Sequence, residues 1–445
     1  MTPYVDFTDS KGPLLWLIYG IGYLISNFTY IGIYWISTLT YGITLFLCYK
    51  TAFLLTEDKK RSLLAALAMI LPYFLHWCHY EIRSEDFCHP FVICGLYYLL
   101  KNTIHPNKKT LQLGGFILGI CFVACLLIKW SIAFMYLSFL FSLGYVALKQ
   151  REIKEYFIFL LIGIGTLSIP FLIYFIQADN FAEFLNEYFI NTIKTVSSTT
   201  TNSLFAYVAE WCFALSSYKL IYLFYAGSIY LLYQRNKAIT ILPLICCLFF
   251  LCSSLRHDLL YYTTIIASFA IFGIIIILEN LNKVTSILFI LVITSFQTRH
   301  IFKEHNLFYD QKNRKEFYEA AYIMSQINHP KIVNEVNETG IGISAHTLPG
   351  SKYWSRQYGE TQEMKKERHD AIRKGIPDFI TCQFHFESNK NSEFDKLLSK
   401  SGYIYYCKVP FQGDQIYIYG KPGLQLPDKS FSISNTDILL KRKLF

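Results

Sequence analysis

Four short stretches of the chain carry side chains able to do chemistry. Asp6, Asp9 and Lys11 stand within six residues, just ahead of a Gly12-Pro13 turn. An ammonium there can neutralise a phosphate, and a neighbouring carboxylate can take a proton or hold a metal ion. In Glu81-Ile82-Arg83-Ser84-Glu85-Asp86-Phe87, the adjacent acids Glu85 and Asp86 could share a proton or a metal, or accept hydrogen bonds from sugar hydroxyls. Lys129 is a single cation inside the apolar run 126–132, able to bind phosphate. Arg256-His257-Asp258 offers His257 as a metal ligand working with a distant carboxylate. Each stretch also has a plainer reading: snorkelling charge beside an amphipathic helix, a polar turn, a marker of the membrane interface, a hydrogen-bonded histidine. His76 and His79 flank Cys78, but no second ligand pair is near, which makes a poor zinc site. The P-loop, the Gly-x-Ser-x-Gly nucleophile turn, His-Glu-x-x-His and the dinucleotide glycine fingerprint do not occur.

The elements that must position these residues are membrane spans. About 20 apolar residues cross ~30 Å of hydrocarbon, and ten runs qualify: 28–48, 63–80, 88–101, 111–128, 131–148, 156–176, 217–233, 238–255, 259–278 and 284–298. Residues 13–27 are apolar but shorter, and read as an interfacial or re-entrant helix. Numbering the loops alternately, one set (49–62, 101–110, 149–155, 234–237, 279–283) holds 13 Lys+Arg against five acids. The other set, with the N-terminus, holds six basic and ten acidic residues up to position 298. Positive loops stay cytoplasmic, so Asp6, Asp9, Lys11, Glu85, Asp86, Lys129 and His257 all fall on the outer face together with segment 177–216 and the C-terminal region. The polar start, with Pro3, has no basic region followed by an apolar run, so a signal peptide is not expected in these first residues.

Composition fits a membrane protein with a soluble appendage. The 445 residues are 53% hydrophobic and only 16% charged, whereas soluble domains carry about a quarter charged residues. Residues 1–298 hold 19 Lys+Arg and 15 Asp+Glu, residues 299–445 hold 22 and 17. The expected fold class is therefore an all-α polytopic membrane domain over 1–298, followed by a small extracytoplasmic α/β domain over 299–445. In the latter, helices are expected over 312–327 and 358–374, and strands over 379–382, 403–409 and 415–419. A soluble enzyme and a disordered scaffold are excluded, and a net charge of +9 is too dispersed for nucleic-acid binding. Ten of the twelve cysteines lie in residues 1–298, mostly inside spans, where a free thiol acts as a small hydrophobe. Only a Cys382–Cys407 disulfide is conceivable.

The run Val5-Asp6-Phe7-Thr8-Asp9-Ser10-Lys11-Gly12-Pro13-Leu14-Leu15 resembles a signature of bacterial membrane glycosyltransferases with the GT-C fold. These are glycosyltransferase families 39 and 83, relatives of dolichyl-phosphate-mannose protein mannosyltransferases and of aminoarabinose transferases. Arg83-Ser84-Glu85-Asp86 is similar to the families' second outer turn. Lys129-Trp130 stands where members often carry a basic residue, 171–195 resembles their amphipathic outer loop, and Lys374-Gly375-Ile376-Pro377-Asp378-Phe379-Ile380 is similar to a strand entry of their outer domain. The resemblance implies transfer of a sugar from a polyprenyl-phosphate donor to an acceptor hydroxyl on the outer face of the cell membrane, in building the cell envelope. The acceptor, a glycan, lipid or protein, is not named by it. It implies donor-phosphate contacts for Lys11 and Lys129, catalytic carboxylates at Asp6, Asp9, Glu85 and Asp86, and in some members a divalent metal, here between Asp9 and His257. Members also have a further leading span and an outer-loop Asp before the lysine. Their absence from this chain leads to the expectation of a lost leading span and a base missing or replaced by Asp6. The competing reading is a non-catalytic remnant or a transporter of polysaccharide or lipid-linked sugar. A transporter would place charge at mid-membrane and show inverted repeats of broken helices, neither of which is evident.

Overall fold

The computed structural model describes residues 4–8, 11–26, 31–70, 84–194, 268–282, 284–288, 291–292, 295, 310–335, 341–356, 360–383, 393–411 and 414–424. Of the sites named above, Asp9, residues 76–83 and residues 256–258 (with His257) lie outside these residues, as do the expected spans 217–233 and 238–255 and parts of 28–48, 63–80, 259–278 and 284–298.

The first half of the chain is a helical bundle: α1 (Pro13–Ile25), α2 (Ile31–Thr56), α3 (Lys59–Ala68), α4 (His89–Ile104), α5 (Lys108–Ile128), α6 (Trp130–Lys149) and α7 (Ile153–Gln177), with α8 (Ala270–Asn280) further on. Among the described residues α2, α5, α6 and α7 are long and apolar enough to cross a membrane. Their outer faces are those of helices solvated by lipid. On α2, Trp35, Leu39, Ile43 and Phe46 are exposed, while Thr44, Cys48, Thr51 and Ala52 are buried. The threonine hydroxyls cause no penalty there, because each donates to the carbonyl four residues back, Thr44 to Thr40 at 2.9 Å and Thr51 to Leu47 at 2.8 Å. The expected span 28–48 continues to Thr56, with Lys50 carried inside the helix and its ammonium over the Phe46 ring at 5.6 Å.

Helices α5 and α7 pack closely because glycines remove the side chains between them. A Cβ at Gly119 would sit 2.4 Å from the Leu160 carbonyl oxygen, and one at Gly163 only 2.0 Å from that of Phe116. Such small-residue contacts substitute for the hydrophobic drive that lipid removes.

The second half builds a mixed sheet from β1 (Lys331–Asn334), β2 (Leu348–Pro349), β3 (Phe379–Cys382), β4 (Ile404–Phe411) and β5 (Asp414–Gly420), with α9 (Asp310–Met324), α10 (Gln362–Arg373) and α11 (Glu393–Lys400). The strand order is β2-β1-β3-β5-β4. β1 runs parallel to β2 and β3, and β5 antiparallel to β3 and β4. Both faces are covered. Phe317, Ala321 and Met324 of α9 pack with Ile332, Phe379, Ile416 and Ile418; Ile372, Leu397 and Leu398 pack with Val333, Ile380 and Tyr419. All four residues of β3 are therefore buried, as expected of a strand covered on both faces. The helix expected to begin at 358 starts at Gln362, where the Thr361 hydroxyl caps the Met364 N–H at 3.3 Å. The conceived Cys382–Cys407 disulfide does not form. The two lie on β3 and β4 with β5 between them, and two strand spacings of ~4.8 Å exceed the ~7 Å limit for a bridge.

Candidate functional site

Lys129 stands alone between two helices. Its backbone is extended (φ −154°, ψ 101°), so α5 stops at Ile128 and α6 starts at Trp130. The break is held by Tyr188, whose hydroxyl donates to the Leu126 carbonyl at 2.7 Å and accepts from the Trp130 N–H at 3.0 Å. The Lys129 ammonium pairs with Glu85 in a site where the two side chains are 11% and 1% exposed. Glu85 lies in the turn ahead of α4, outside the spanning helices. Its second oxygen accepts from the Ser84 hydroxyl at 2.9 Å, and Asp86 beside it is buried on a 3-10 turn.

The N-terminal segment brings in Lys11. Gly12 donates its N–H to the Ile128 carbonyl at 3.1 Å, at the very end of α5. A Cβ at Gly12 would lie 2.0 Å from the Leu127 carbonyl oxygen, so only glycine permits this approach, and Pro13 then starts α1. Upstream, the buried Tyr4 ring packs on Trp16 at 4.6 Å, Phe184 at 5.3 Å and Phe175 at 5.9 Å, while its hydroxyl donates to the Lys11 carbonyl at 3.2 Å. Lys11 is thereby fixed near enough to act electrostatically on Glu85. Burial alone would raise the Glu85 pKa. The Lys129 charge and hydrogen bond, with the Lys11 charge beyond them, outweigh it and hold the carboxyl below its ordinary value. The result is a buried carboxylate paired with the Lys129 ammonium and within electrostatic reach of Lys11.

Of the residues singled out in the sequence, Lys11, Glu85, Asp86 and Lys129 gather at one end of the bundle. Asp6 is exposed on the same N-terminal segment. Sequence reasoning singled out neither Tyr188 nor Glu187, which precedes Tyr188 on a π-helical turn (Leu185–Asn191) and reaches the second half of the chain; Ser84 entered it only as part of the turn Arg83-Ser84-Glu85-Asp86. Lys352 pairs with Glu187 at 2.6 Å, the Tyr353 hydroxyl donates to both Glu187 oxygens at 3.3 Å, and the Thr8 N–H donates to the Lys352 carbonyl at 3.0 Å. An acid within the aromatic run Phe181–Phe189 was the one available signal. Among the described residues no group of three or more His, Cys, Asp and Glu is disposed to hold a metal ion.

Residues 10–174 match the family model of dolichyl-phosphate-mannose-protein mannosyltransferase, a stretch that holds Lys11, Glu85, Asp86 and Lys129. Comparison with curated proteins gives no match. Among solved structures the chain is similar to ArnT from Cupriavidus metallidurans bound to undecaprenyl phosphate. The TM-score is 0.60 at 12% identity, covering 94% of this chain and 89% of that one. The fold is that of ArnT, the GT-C fold. At so low an identity the likeness speaks for the GT-C architecture, and the chemistry of the site has to be argued from its own residues.

Proposed function

We propose that the chain transfers a sugar from a polyprenyl-phosphate donor to an acceptor hydroxyl at the outer face of the cell membrane, with the α/β domain extracytoplasmic. The observation that carries this reading is the pairing of Lys129 with the buried Glu85, with Lys11 held within electrostatic reach by the Gly12–Ile128 contact, at one end of a lipid-facing bundle. Breaking the bond between the anomeric carbon and the phosphate oxygen leaves charge on the phosphate, and two preorganised ammonium groups stabilise that charge. The new bond forms from the acceptor oxygen to the same carbon, and the acceptor proton passes to a carboxylate. Glu85, held ionised by Lys129, is suited to keep that lysine in place rather than to accept a proton near neutral pH. Asp6, exposed on the segment that carries Lys11, is the proposed base, with Asp9 the second acid of that segment and Asp86 behind Glu85. A divalent ion bound by Asp9 and His257 would offset further phosphate charge; it remains part of the proposal. The family match over residues 10–174 and the fold shared with a protein bound to undecaprenyl phosphate support the donor class.

The test is sugar transfer in membranes supplied with a polyprenyl-phosphate sugar. Lys11→Ala and Lys129→Ala should each lower the rate by roughly 10²–10³-fold, the range for loss of one charge-stabilising donor. A parallel arm with EDTA should slow the wild type and leave His257→Ala unaffected. Wild-type rates in both lysine variants would end the assignment.

A further inference from the structure

The π-helical turn after α7 has two neighbouring residues that hold two different parts of the molecule. Tyr188 spans the α5–α6 break, contacting the Leu126 carbonyl and the Trp130 N–H on either side of Lys129. It also closes on Gly12, where an added Cβ would meet its hydroxyl at 2.7 Å. Glu187, only 5% exposed, holds the α/β domain instead, through the Lys352 ammonium and the Tyr353 hydroxyl. Its orientation is fixed from its own turn by the Asn191 amide, which donates to Oε2 at 2.9 Å. Lys352 then links onward by its backbone. Its N–H donates to Glu367 of α10 at 3.1 Å, and its carbonyl accepts from Thr8 at 3.0 Å, three residues before Lys11. The N-terminal segment is thus held at Tyr4 and Gly12 by the bundle and at Thr8 by the α/β domain.

We propose that Glu187 is a positioning residue for the donor-phosphate site: by clasping Lys352 and Tyr353 it holds the α/β domain against Thr8 and so sets the Lys11 ammonium for the donor phosphate near Lys129. This inference rests on the donor-site reading given above. It makes the α/β domain a working part of phosphate binding, although none of its side chains need touch the lipid. A π turn suits the task, since such turns are rare and concentrate at functional positions. Glu187 is screened from water and the Lys352 side chain, 28% exposed, only partly so; losing the contact changes how a buried carboxylate is held.

The experiment uses the full chain in nanodiscs and compares binding of undecaprenyl phosphate with that of undecaprenol, which lacks the phosphate. Glu187→Gln, and separately Lys352→Met, should weaken undecaprenyl phosphate binding roughly tenfold, the scale of coupling carried through packed neighbours, while undecaprenol binding stays at the wild-type value. The charge-reversed pair Glu187→Lys with Lys352→Glu should recover most of the loss. A variant that merely folds badly would lose both lipids alike. Wild-type phosphate binding in Glu187→Gln and Lys352→Met, or equal losses for both lipids in both variants, overturns the proposal. Lys11→Ala is the control for the underlying reading: if it binds undecaprenyl phosphate normally the donor-site assignment itself fails, and if it alone loses binding, only the role of Glu187 fails.

Discussion

Glu85 is the residue on which the site's electrostatics turn. Its folded pKa is depressed, so its contribution to stability is complete above the ordinary glutamate value of 4.5 and is lost as pH falls through the lower folded value. Thermal unfolding of the purified protein between pH 7 and pH 3 should therefore show an acid-side decline that is shallower in Glu85→Gln. An identical decline in the two proteins would show that the pair contributes nothing. The two partners should also be strongly non-additive. Lys129→Met leaves a carboxylate buried without its ammonium, a change that costs about 3–5 kcal/mol, whereas adding Glu85→Gln to it should restore much of that stability; additive effects in the double-mutant cycle would contradict the pairing. Lys11, Glu85 and Lys129 were legible in the sequence because charge is scarce among the apolar runs and each stands beside a turn. Glu187, Tyr188 and Tyr353 were not. Their roles come from contacts such as that between Tyr353 and Glu187, 166 positions apart, which no local pattern encodes.

At the level of elements, the site depends on α5 arriving at Lys129 in the right place, and α5 is set by its contact with α7. Gly119 and Gly163 each face a backbone carbonyl of the opposite helix at a distance no Cβ tolerates. Gly119→Leu should therefore separate the helices, lower stability by roughly 1–3 kcal/mol as overpacking does, and reduce transfer; Gly144→Leu on α6, where an added Cβ meets nothing closer than 3.4 Å, should be much milder. Equal thermal stability of the two variants would argue against close packing of α5 on α7. Helices of this kind were readable from length and hydropathy: the expected spans 111–128, 131–148 and 156–176 appear as α5, α6 and α7 with ends moved by at most three residues. The sheet was less legible. β3 and the β4–β5 hairpin were anticipated by their apolar runs, but β1 is four residues long and β2 two, too short to show a period, and α11 lies among polar residues. The buried Arg368 bridging Glu335 at 2.6 Å and Glu360 at 2.8 Å was equally silent, since its partners come from separate segments.

Across the whole molecule, charge is sorted to two ends. Lys11, Glu85, Lys129 and Glu187 share one end with the α/β domain. The loops 57–58, 105–107 and 150–152 lie at the other, where Lys108 joins Glu152 at 2.8 Å and Glu155 at 2.9 Å. The 21 residues of α5 that separate Lys108 from this site end span ~30 Å at 1.5 Å per residue, the thickness of a hydrocarbon core. The wider segments around those loops, 49–62, 101–110 and 149–155, hold ten Lys+Arg against four acids, so under the retention of positive loops in the cytoplasm the site end is expected outside. The orientation bears directly on the proposed function, because a polyprenyl-phosphate sugar attacked at the outer leaflet and one attacked at the cytoplasmic leaflet meet different acceptors. Cysteines introduced one at a time at the exposed positions Lys109 and Lys408, with the Cys407→Ser chain without either as the labelling background, separate the possibilities. A membrane-impermeant maleimide should label Lys408→Cys in intact cells and Lys109→Cys only after permeabilisation. The reverse pattern would turn the molecule over and move the transfer reaction to the cytoplasmic face. Labelling of both from one side would mean that α5 does not cross the bilayer, and the lipid-facing reading of the bundle would fall with it.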